Sequence, residues 1–279
     1  MKGLLRRLST AIIFVLVMLI GLYGGQVPFV LLFAIITAFC LWEFLVMVLA
    51  RYTRRDLFRL ILGVLFGLTP FALAAVLHLG LIRSPEQFII TISILFFPFM
   101  FTAFIYELTT KSESPFMNVA FLVLGVLYIG VPFALLEFIA FDDDQFYANT
   151  VFGLLVMTWA NDTGAYLVGS KIGKHKLLPR ISPGKTIEGS IGGVLTTTLV
   201  AVLLYLFFPG EMDLVHWTML ALIVAIFGSL GDLIESMLKR SVGVKDSGNI
   251  LPGHGGMLDR FDAFIFLLPF AAAYILYVR

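Results

Sequence analysis

The sequence predicts an all-α, polytopic integral membrane protein with about nine transmembrane helices and a cytoplasmic N-terminus. Of its 279 residues, 60% are hydrophobic and only 13% are charged, and the mean hydropathy is +1.01. A soluble domain of this length would need more polar surface. Apolar runs of about 20 residues also recur along the whole chain, and each is long enough to cross a bilayer as a helix.

Nine apolar segments meet this length requirement, and several of them end near Gly or Pro. The predicted spans are residues 8–24, 28–49, 58–79, 88–108, 116–139, 148–170, 189–208, 215–236 and 261–278. The first follows a basic end and is similar to a signal peptide, but no A-x-A-like site follows it, so we expect a retained helix. The last span is short, which allows its helix to begin within the preceding polar loop.

The distribution of basic residues predicts the topology. With nine spans, 17 of the 19 Lys and Arg residues fall on the side of the N-terminus, and the other side holds only Arg83 and Arg279 beside the acidic run 142–144. The positive-inside rule makes the basic side cytoplasmic. We therefore expect a multi-pass protein of the inner (plasma) membrane, with an active site that faces the cytoplasm.

Residues 1–140 are interpreted as a scaffold of about five helices, and residues 141–279 as the catalytic region, with cytoplasmic loops at 170–189 and 237–260. The formal net charge of +1 gives no indication of a nucleic-acid partner, and none is expected. The single cysteine, Cys40, excludes an intramolecular disulfide and a cysteine-based metal cluster.

Span six contains WANDTGAY, residues 159–166, which places Asp162 in an apolar helix. An ionisable residue at membrane depth is costly and is therefore a functional candidate. The alternative is hydrogen bonding between helices, which suits Asn161 and Thr163.

Span eight ends in GSLGDLIESMLKRS, in which Asp232, Glu235, Ser236 and Lys239 share one helical face. This face carries two carboxylates, a hydroxyl and an ammonium group from membrane depth into a basic loop, which favours a functional site. The alternative is an internal pair between Glu235 and Lys239.

The loop that follows, KDSGNILPGHGGMLDRFD, concentrates charge and glycine. Gly255 and Gly256 allow backbone to approach a ligand closely, and such amides can hold phosphate oxygens. Carboxylates such as Asp259 and Asp262 suit a hard ion such as Mg²⁺ better than a soft one. His254 alone is a poor zinc site, and its alternative role is loop packing.

A second cytoplasmic segment, SPGKTIEGS at 182–190, adds Lys185 and Glu188 beside a Pro-Gly turn. It lacks the spacing of a phosphate-binding P-loop, and a basic cytoplasmic loop is the alternative. Together these segments predict metal-dependent chemistry on a phosphorylated substrate embedded in the membrane.

The segment SMLKRSVGVKDSGNILPGHGGMLDRFD, residues 236–262, resembles the signature of the phosphatidate cytidylyltransferases. The resemblance extends to W-x-x-D-x-x-A-Y around Asp162 and to S-P-x-K-T-x-E-G at 182–189. It implies that CTP and phosphatidate react to give CDP-diacylglycerol and pyrophosphate. It also implies a Mg²⁺ requirement, allows for a monovalent cation, and suggests a homodimer surrounded by membrane lipids.

The resemblance also implies roles for individual residues. It makes Asp232 and Asp259 the Mg²⁺ ligands. The catalytic residues that it implies are Asp232, Asp259, Lys239, Arg240, Lys245 and Asp246. The substrate-binding residues are Asp162, Ser182, Lys185, Thr186, Glu188, Ser236, Gly253, His254, Gly255, Gly256, Arg260 and Asp262.

Three other functions are considered from the same residues. A related enzyme could use an isoprenoid ether lipid phosphate as the acceptor. A transporter could use the intramembrane acids Glu43, Glu137, Asp162 and Asp232 as an ion path, although the sequence shows no pseudo-symmetric repeat. A membrane scaffold would leave the polar residues of 236–262 unexplained.

Overall fold

The computed structural model describes residues 2–52, 57–81, 84–110, 112–142, 145–250 and 255–279. Helices dominate these residues, which confirms the predicted all-α class. The predicted site residues Gly253 and His254 lie outside the described residues.

Within the described part of the chain, seven helical segments are long and apolar enough to cross a membrane, so the protein is a multi-pass membrane protein. They are Gln26–Leu49, Leu57–His78, Ile89–Thr109, Pro115–Ala140, Ile187–Phe207, Leu214–Ser241 and Leu258–Val278. The predicted span 8–24 corresponds to a shorter apolar helix, Thr10–Tyr23, and the predicted span 148–170 corresponds to a helix that carries Asp162. The total of nine spans and the cytoplasmic N-terminus stay predictions.

The chain divides into two compact units. The first comprises Met1–Glu137 and Asp246–Arg260, and the second comprises Phe138–Lys245 and Phe261–Arg279. We call Asp246–Arg260 the polar segment. It therefore belongs to the same unit as the N-terminal helices, although it lies in the C-terminal part of the sequence.

The first unit is built from helices that are joined by short turns, two of them π-helical. Its elements are α1 (Lys2–Tyr23), α2 (Gln26–Tyr52), α3 (Leu57–His78), α4 (Pro85–Thr91), a π-helical turn (Ile92–Phe96), α5 (Phe97–Thr109), α6 (Pro115–Gly125), a second π-helical turn (Val126–Gly130) and α7 (Val131–Ala140), which continues into the second unit.

Small residues allow α2 and α3 to pack closely. A methyl group at Gly67 of α3 would overlap the Leu41 side chain of α2, and one at Gly63 would overlap Leu45. Close packing of this kind replaces the hydrophobic driving force that is missing between helices in lipid.

The second unit contains the remaining helices and two short hairpins. Its elements are β1 (Phe141–Asp142), β2 (Gln145–Phe146), α8 (Ala148–Ile172), β3 (Lys176–Leu178), β4 (Ser182–Thr186), α9 (Ile187–Phe207), α10 (Leu214–Ile223), a π-helical turn (Val224–Gly228), α11 (Ser229–Ser241) and most of α12 (Leu258–Val278). The loop predicted at 170–189 thus contains an antiparallel hairpin, in which Lys176 pairs with Thr186 and Leu178 with Ser182.

Helices α8 and α9 meet along a series of glycines. A methyl group at Gly192 would overlap Val168, and one at Gly164 would overlap Thr196. Asn161 of α8 packs against Gly193 in the same way. This close contact holds the middle of α8, where Asp162 lies, beside the beginning of α9.

Candidate active site

A pocket of about 390 Å³ opens in the second unit among α8, β4, α9 and α11. We call it the α8–α11 pocket. Its lining residues are Asn161, Asp162, Ala165, Tyr166, Gly169, Ser170, Ser182, Gly184, Lys185, Thr186, Gly189, Ser190, Ser229 and Asp232. Five of the predicted site residues, Asp162, Ser182, Lys185, Thr186 and Asp232, therefore share one cavity.

An ion pair between Lys185 and Asp232 lies at this pocket. The Lys185 Nζ lies 2.5 Å from Asp232 Oδ2 and donates to the carbonyl oxygen of Ser229 at 3.3 Å. Both charged side chains are partly exposed, at 26% and 32%. A ligand that enters the pocket can therefore reach a cation and an anion together.

Local structure fixes the position of Lys185. The residue lies in β4, one position before Thr186, whose side chain caps α9 by accepting a hydrogen bond from the Gly189 N–H at 3.1 Å. A capped helix N-terminus has a positive end that favours anions. The lysine side chain and the beginning of α9 thus place positive potential at one wall of the pocket.

Several polar side chains of α11 contact one another on the same face of the helix. Glu235 is fully buried and forms an ion pair with Lys239, which is the alternative considered for these two residues. Ser236 donates to Asp232 Oδ1 at 3.3 Å, so the hydroxyl supports the carboxylate that lines the pocket. A π-helical turn immediately before α11 fits this interpretation, because such turns are frequent at functional sites.

Asp262 faces a negative environment. The charges of Glu235, Asp232 and Asp162 all act on its carboxylate. The second unit therefore brings four acidic side chains into one neighbourhood, and two of them are paired with lysines. Like charges in a site of low polarity repel, and Lys185 and Lys239 offset the charges of Asp232 and Glu235.

Two predicted basic residues, Arg240 in the last turn of α11 and Lys245 after it, lie at the surface. Arg240 is exposed and donates to the carbonyl of Val244 at 3.3 Å, and Lys245 is also exposed. Neither lines the α8–α11 pocket. Their proposed contacts with phosphate groups stay predictions.

Glu188 does not line the α8–α11 pocket. Its carboxylate instead accepts a hydrogen bond from the Lys174 N–H at 3.1 Å and lies 2.6 Å from His175 Nδ1. These bonds join the beginning of α9 to the start of the β3–β4 hairpin. The geometry therefore favours a role for Glu188 in holding the hairpin that carries Lys185.

Asp259 is held by backbone groups of the first unit. Its carboxylate accepts hydrogen bonds from the Ser247 N–H at 3.0 Å and from the Gly256 N–H at 2.9 Å. Gly255 adopts a φ of +83°, which favours glycine. Asp246 and Arg260, at the two ends of the polar segment, are exposed.

The sequence interpretation missed the contact between Glu43 and the polar segment within the first unit. The Glu43 carboxylate of α2 is buried and accepts a hydrogen bond from the Ser247 hydroxyl at 3.0 Å. The available signal was a lone carboxylate in an apolar span, which we considered as part of an ion path.

The chemistry of these residues fits Mg²⁺. This ion typically uses one or two carboxylates and takes its remaining ligands from water and substrate phosphates. Asp232 and Asp259 are carboxylates of this kind. Among the residues that the structure describes, no group of three or more His, Cys, Asp or Glu side chains lies close enough together to hold a metal ion.

Comparison with known families identifies the class of protein. The sequence model described as "Cytidylyltransferase family" matches residues 5–278, so the chain belongs to this family.

Individual relatives match a shorter region. The phosphatidate cytidylyltransferase of Staphylococcus haemolyticus (strain JCSC1435) is 44% identical over 170 residues, which are 59% of this chain and 62% of the relative. That of Bacillus subtilis (strain 168) is 44% identical over 166 residues, 59% of this chain and 61% of the relative. That of Staphylococcus aureus (strain COL) is 45% identical over 172 residues, 59% and 62% respectively. The chain thus spans about three fifths of the length of these relatives.

Proposed function

We propose that this protein is a Mg²⁺-dependent phosphatidate cytidylyltransferase that makes CDP-diacylglycerol for phospholipid synthesis. The main observation in support is the ion pair between Lys185 and Asp232, which lies at a pocket beside the capped N-terminus of α9. This arrangement offers positive charge to phosphate oxygens and a carboxylate to a metal ion. Family membership and the names of the relatives support the same reaction.

The proposed reaction transfers the cytidylyl group in one displacement. An oxygen of the phosphatidate phosphate forms a bond to the α-phosphorus of CTP. The bond from that phosphorus to the bridging oxygen of the β-phosphate breaks, and its electron pair leaves with pyrophosphate. The nucleophile is already an anion at neutral pH, so the site needs no strong general base.

The main obstacles are repulsion between two anions and the charge on the leaving pyrophosphate. Lys185 addresses the first obstacle by exchanging its bond with Asp232 for one to a phosphate oxygen. The Ser182 and Thr186 side chains at the same pocket are neutral groups that orient the phosphate.

Asp232 and Asp259 are the residues that would hold Mg²⁺, and bound Mg²⁺ would neutralise phosphate oxygens and the developing charge on pyrophosphate. Lys239, Arg240 and Lys245 are proposed to attract the CTP phosphates from the aqueous side. A monovalent cation as a further cofactor and a homodimeric assembly are also part of this proposal, and both rest on the family resemblance.

The proposed location is the inner (plasma) membrane, with the active site on the cytoplasmic side. The concentration of 17 of the 19 basic residues on one side of the predicted topology supports this orientation. CTP would reach the site from the cytoplasm and phosphatidate from the bilayer.

Pyrophosphate release by the purified protein in detergent tests this proposal. Release should require CTP, Mg²⁺ and phosphatidate together, and CDP-diacylglycerol should form in equal amount. An isoprenoid ether lipid phosphate, supplied in a parallel reaction, should be a poor acceptor. Folded protein that releases no pyrophosphate with either lipid would overturn the proposal.

A further inference from the structure

The Glu43 carboxylate of α2 contacts residues of the polar segment that lie more than 200 positions later in the sequence. The Glu43 side chain is 3% exposed. Its Oε2 atom accepts hydrogen bonds from the Ser247 hydroxyl at 3.0 Å and from the Leu258 N–H at 2.8 Å. All three residues belong to the first unit, although 204 and 215 positions separate Glu43 from its two partners.

Glu43 acts as a helix cap that the local sequence does not provide. Helix α12 begins at Leu258, and the first N–H groups of a helix need acceptors from outside the helix. A side chain just before the helix usually supplies one. Here the preceding residues are Gly256 and Met257, which have no side-chain oxygen, and Glu43 accepts from the Leu258 N–H instead. Its negative charge also suits the positive end of the helix.

Two glycines on the described parts of the polar segment, 246–250 and 255–260, pack against this carboxylate. A methyl group built on Gly248 would lie 2.7 Å from Glu43 Cδ, and one built on Gly256 would lie 2.8 Å from it. Both distances are too short for real carbon atoms. These two glycines therefore allow the backbone to approach Glu43 from two directions.

Glu43 and Asp259 share the same parts of the polar segment. The Ser247 hydroxyl donates to Glu43, and the Ser247 N–H donates to Asp259 at 3.0 Å. Gly256 packs against Glu43 and donates its N–H to Asp259 at 2.9 Å. The backbone that orients the Asp259 carboxylate is thus the backbone that Glu43 holds.

We propose that Glu43 is a positioning residue for Asp259. It fixes the polar segment and the beginning of α12, so that the Asp259 carboxylate has one orientation before Mg²⁺ and CTP arrive. This inference rests on the proposed function, in which Asp259 is a Mg²⁺ ligand. Groups that orient metal ligands typically change metal affinity or activity 10- to 100-fold when they are removed.

The negative charge of Glu43 is part of this role. A carboxylate accepts hydrogen bonds from two donors with one oxygen, and charge-assisted bonds are stronger than neutral ones. Glutamine has the same shape, but it is neutral and brings two donor hydrogens into a site that already contains an N–H and a hydroxyl donor. Glu43→Gln therefore tests the electrostatic role with little change in volume.

The matched control is Glu137→Gln. Glu137 is also a fully buried glutamate of the first unit, and neither of its oxygens has a hydrogen-bond partner among the described residues. The substitution replaces the same side chain at a second buried position of the first unit. It should leave both the exchange pattern of the segment and the Mg²⁺ dependence unchanged.

The first measurement is amide hydrogen exchange of the purified, metal-free protein in detergent. In Glu43→Gln, peptides that cover 246–260 should exchange at least about tenfold faster, while the other helices keep the native rate. The second measurement is the Mg²⁺ concentration for half-maximal CDP-diacylglycerol formation, which should rise about tenfold or more. Glu43→Asp, which keeps the charge on a shorter chain, should recover part of both effects.

The outcomes separate this inference from the proposed function. Native protein that forms no CDP-diacylglycerol refutes the proposed function, whatever the exchange data show. Active native protein with unchanged exchange at 246–260 in Glu43→Gln refutes the positioning role. Faster exchange throughout the first unit also refutes it, because Glu43 would then be a general packing residue.

Discussion

The candidate site carboxylates of the two units have different kinds of hydrogen-bonding and ionic partners. In the first unit, Glu43 and Asp259 accept hydrogen bonds from backbone N–H groups and a hydroxyl. In the second unit, Asp232 and Glu235 form ion pairs with Lys185 and Lys239. Neutral donors fix the orientation of a carboxylate, whereas a lysine in an ion pair can itself move to an incoming phosphate. The first arrangement suits a carboxylate that must keep one orientation, and the second suits exchanging an ion pair for an anionic substrate.

The largest expected effect on the reaction follows from removing the Asp259 charge. Asp259→Asn should lower kcat/KM by about 1,000-fold or more, roughly 4 kcal/mol of barrier, because a neutral amide is a poor Mg²⁺ ligand. Pyrophosphate release with CTP and phosphatidate measures the loss.

Asp213→Asn is a suitable control for this prediction, because Asp213 is exposed at the start of α10 and its side chain does not cap that helix. It should retain native activity. An active Asp259→Asn protein would show that Asp259 is not a Mg²⁺ ligand.

The next largest effect concerns the ion pair in the second unit. Lys185→Met should lower kcat/KM about 100-fold, because the site loses a cation that faces phosphate oxygens and Asp232 loses its partner. Lys185→Arg should recover part of the activity, since it keeps the charge with a different geometry.

Lys176→Met provides the matched control, because Lys176 is an exposed lysine of the same hairpin. Its activity should be native within about twofold. Equal losses in the two methionine variants would indicate a general effect of basic charge on lipid binding and would remove Lys185 from the mechanism.

A smaller effect is expected from substitutions at Glu188. They test whether this residue holds the β3–β4 hairpin or binds the substrate. Glu188→Gln and His175→Ala should each raise the KM for CTP only about threefold, because both weaken the same contact at the hairpin. Steady-state kinetics of the two variants measure the change. A loss of activity in Glu188→Gln that far exceeds the loss in His175→Ala would show that Glu188 contacts the substrate.

The smallest effect on turnover is expected from a buried ion pair of the first unit. Arg59 and Glu107 are both buried and paired, and Asn118 donates to the same carboxylate at 3.0 Å. Arg59→Met should lower the free energy of unfolding by about 3–5 kcal/mol, because it leaves a buried carboxylate without its cation. Thermal unfolding in detergent measures this change, and turnover per folded molecule should stay native.

The double variant Arg59→Met with Glu107→Leu should restore most of the lost stability, since it removes both charges. If Arg59→Met still changes turnover per folded molecule under conditions that keep the variant folded, this pair also contributes to the reaction.

Local patterns in the sequence predicted the helical fold and several members of the site. Apolar runs of about 20 residues predicted the long helices, because a chain in lipid must satisfy its backbone hydrogen bonds within each segment. The predictions that Asp162, Lys185 and Asp232 belong together agree with their common pocket. Their roles toward substrate and metal remain to be tested by the substitutions above.

Contacts between residues that are far apart in the sequence could not be predicted from local sequence patterns. Asp232 and Glu235 have the same residue chemistry and lie on one helical turn, yet only the folded chain shows that Lys185, rather than a residue of α11, pairs with Asp232. The family resemblance implied a substrate contact for Glu188, and only the folded chain shows that its carboxylate contacts the Lys174 N–H and the His175 side chain. Glu43 carries no local signal for a helix that begins more than 200 positions later.

The distance between Glu43 and its partners has a consequence for biosynthesis. Ribosomes add about 5–20 residues per second, so the 204 positions between Glu43 and Ser247 correspond to roughly 10–40 s of translation. During this interval α2 is already made, while the donors that bind its acid do not yet exist. The surrounding span, Gln26–Leu49, has a mean hydropathy of 2.5, enough to retain one costly acid in the bilayer. The nascent N-terminal helices therefore carry the Glu43 carboxylate before its two donors in the folded chain, the Ser247 hydroxyl and the Leu258 N–H, have been made.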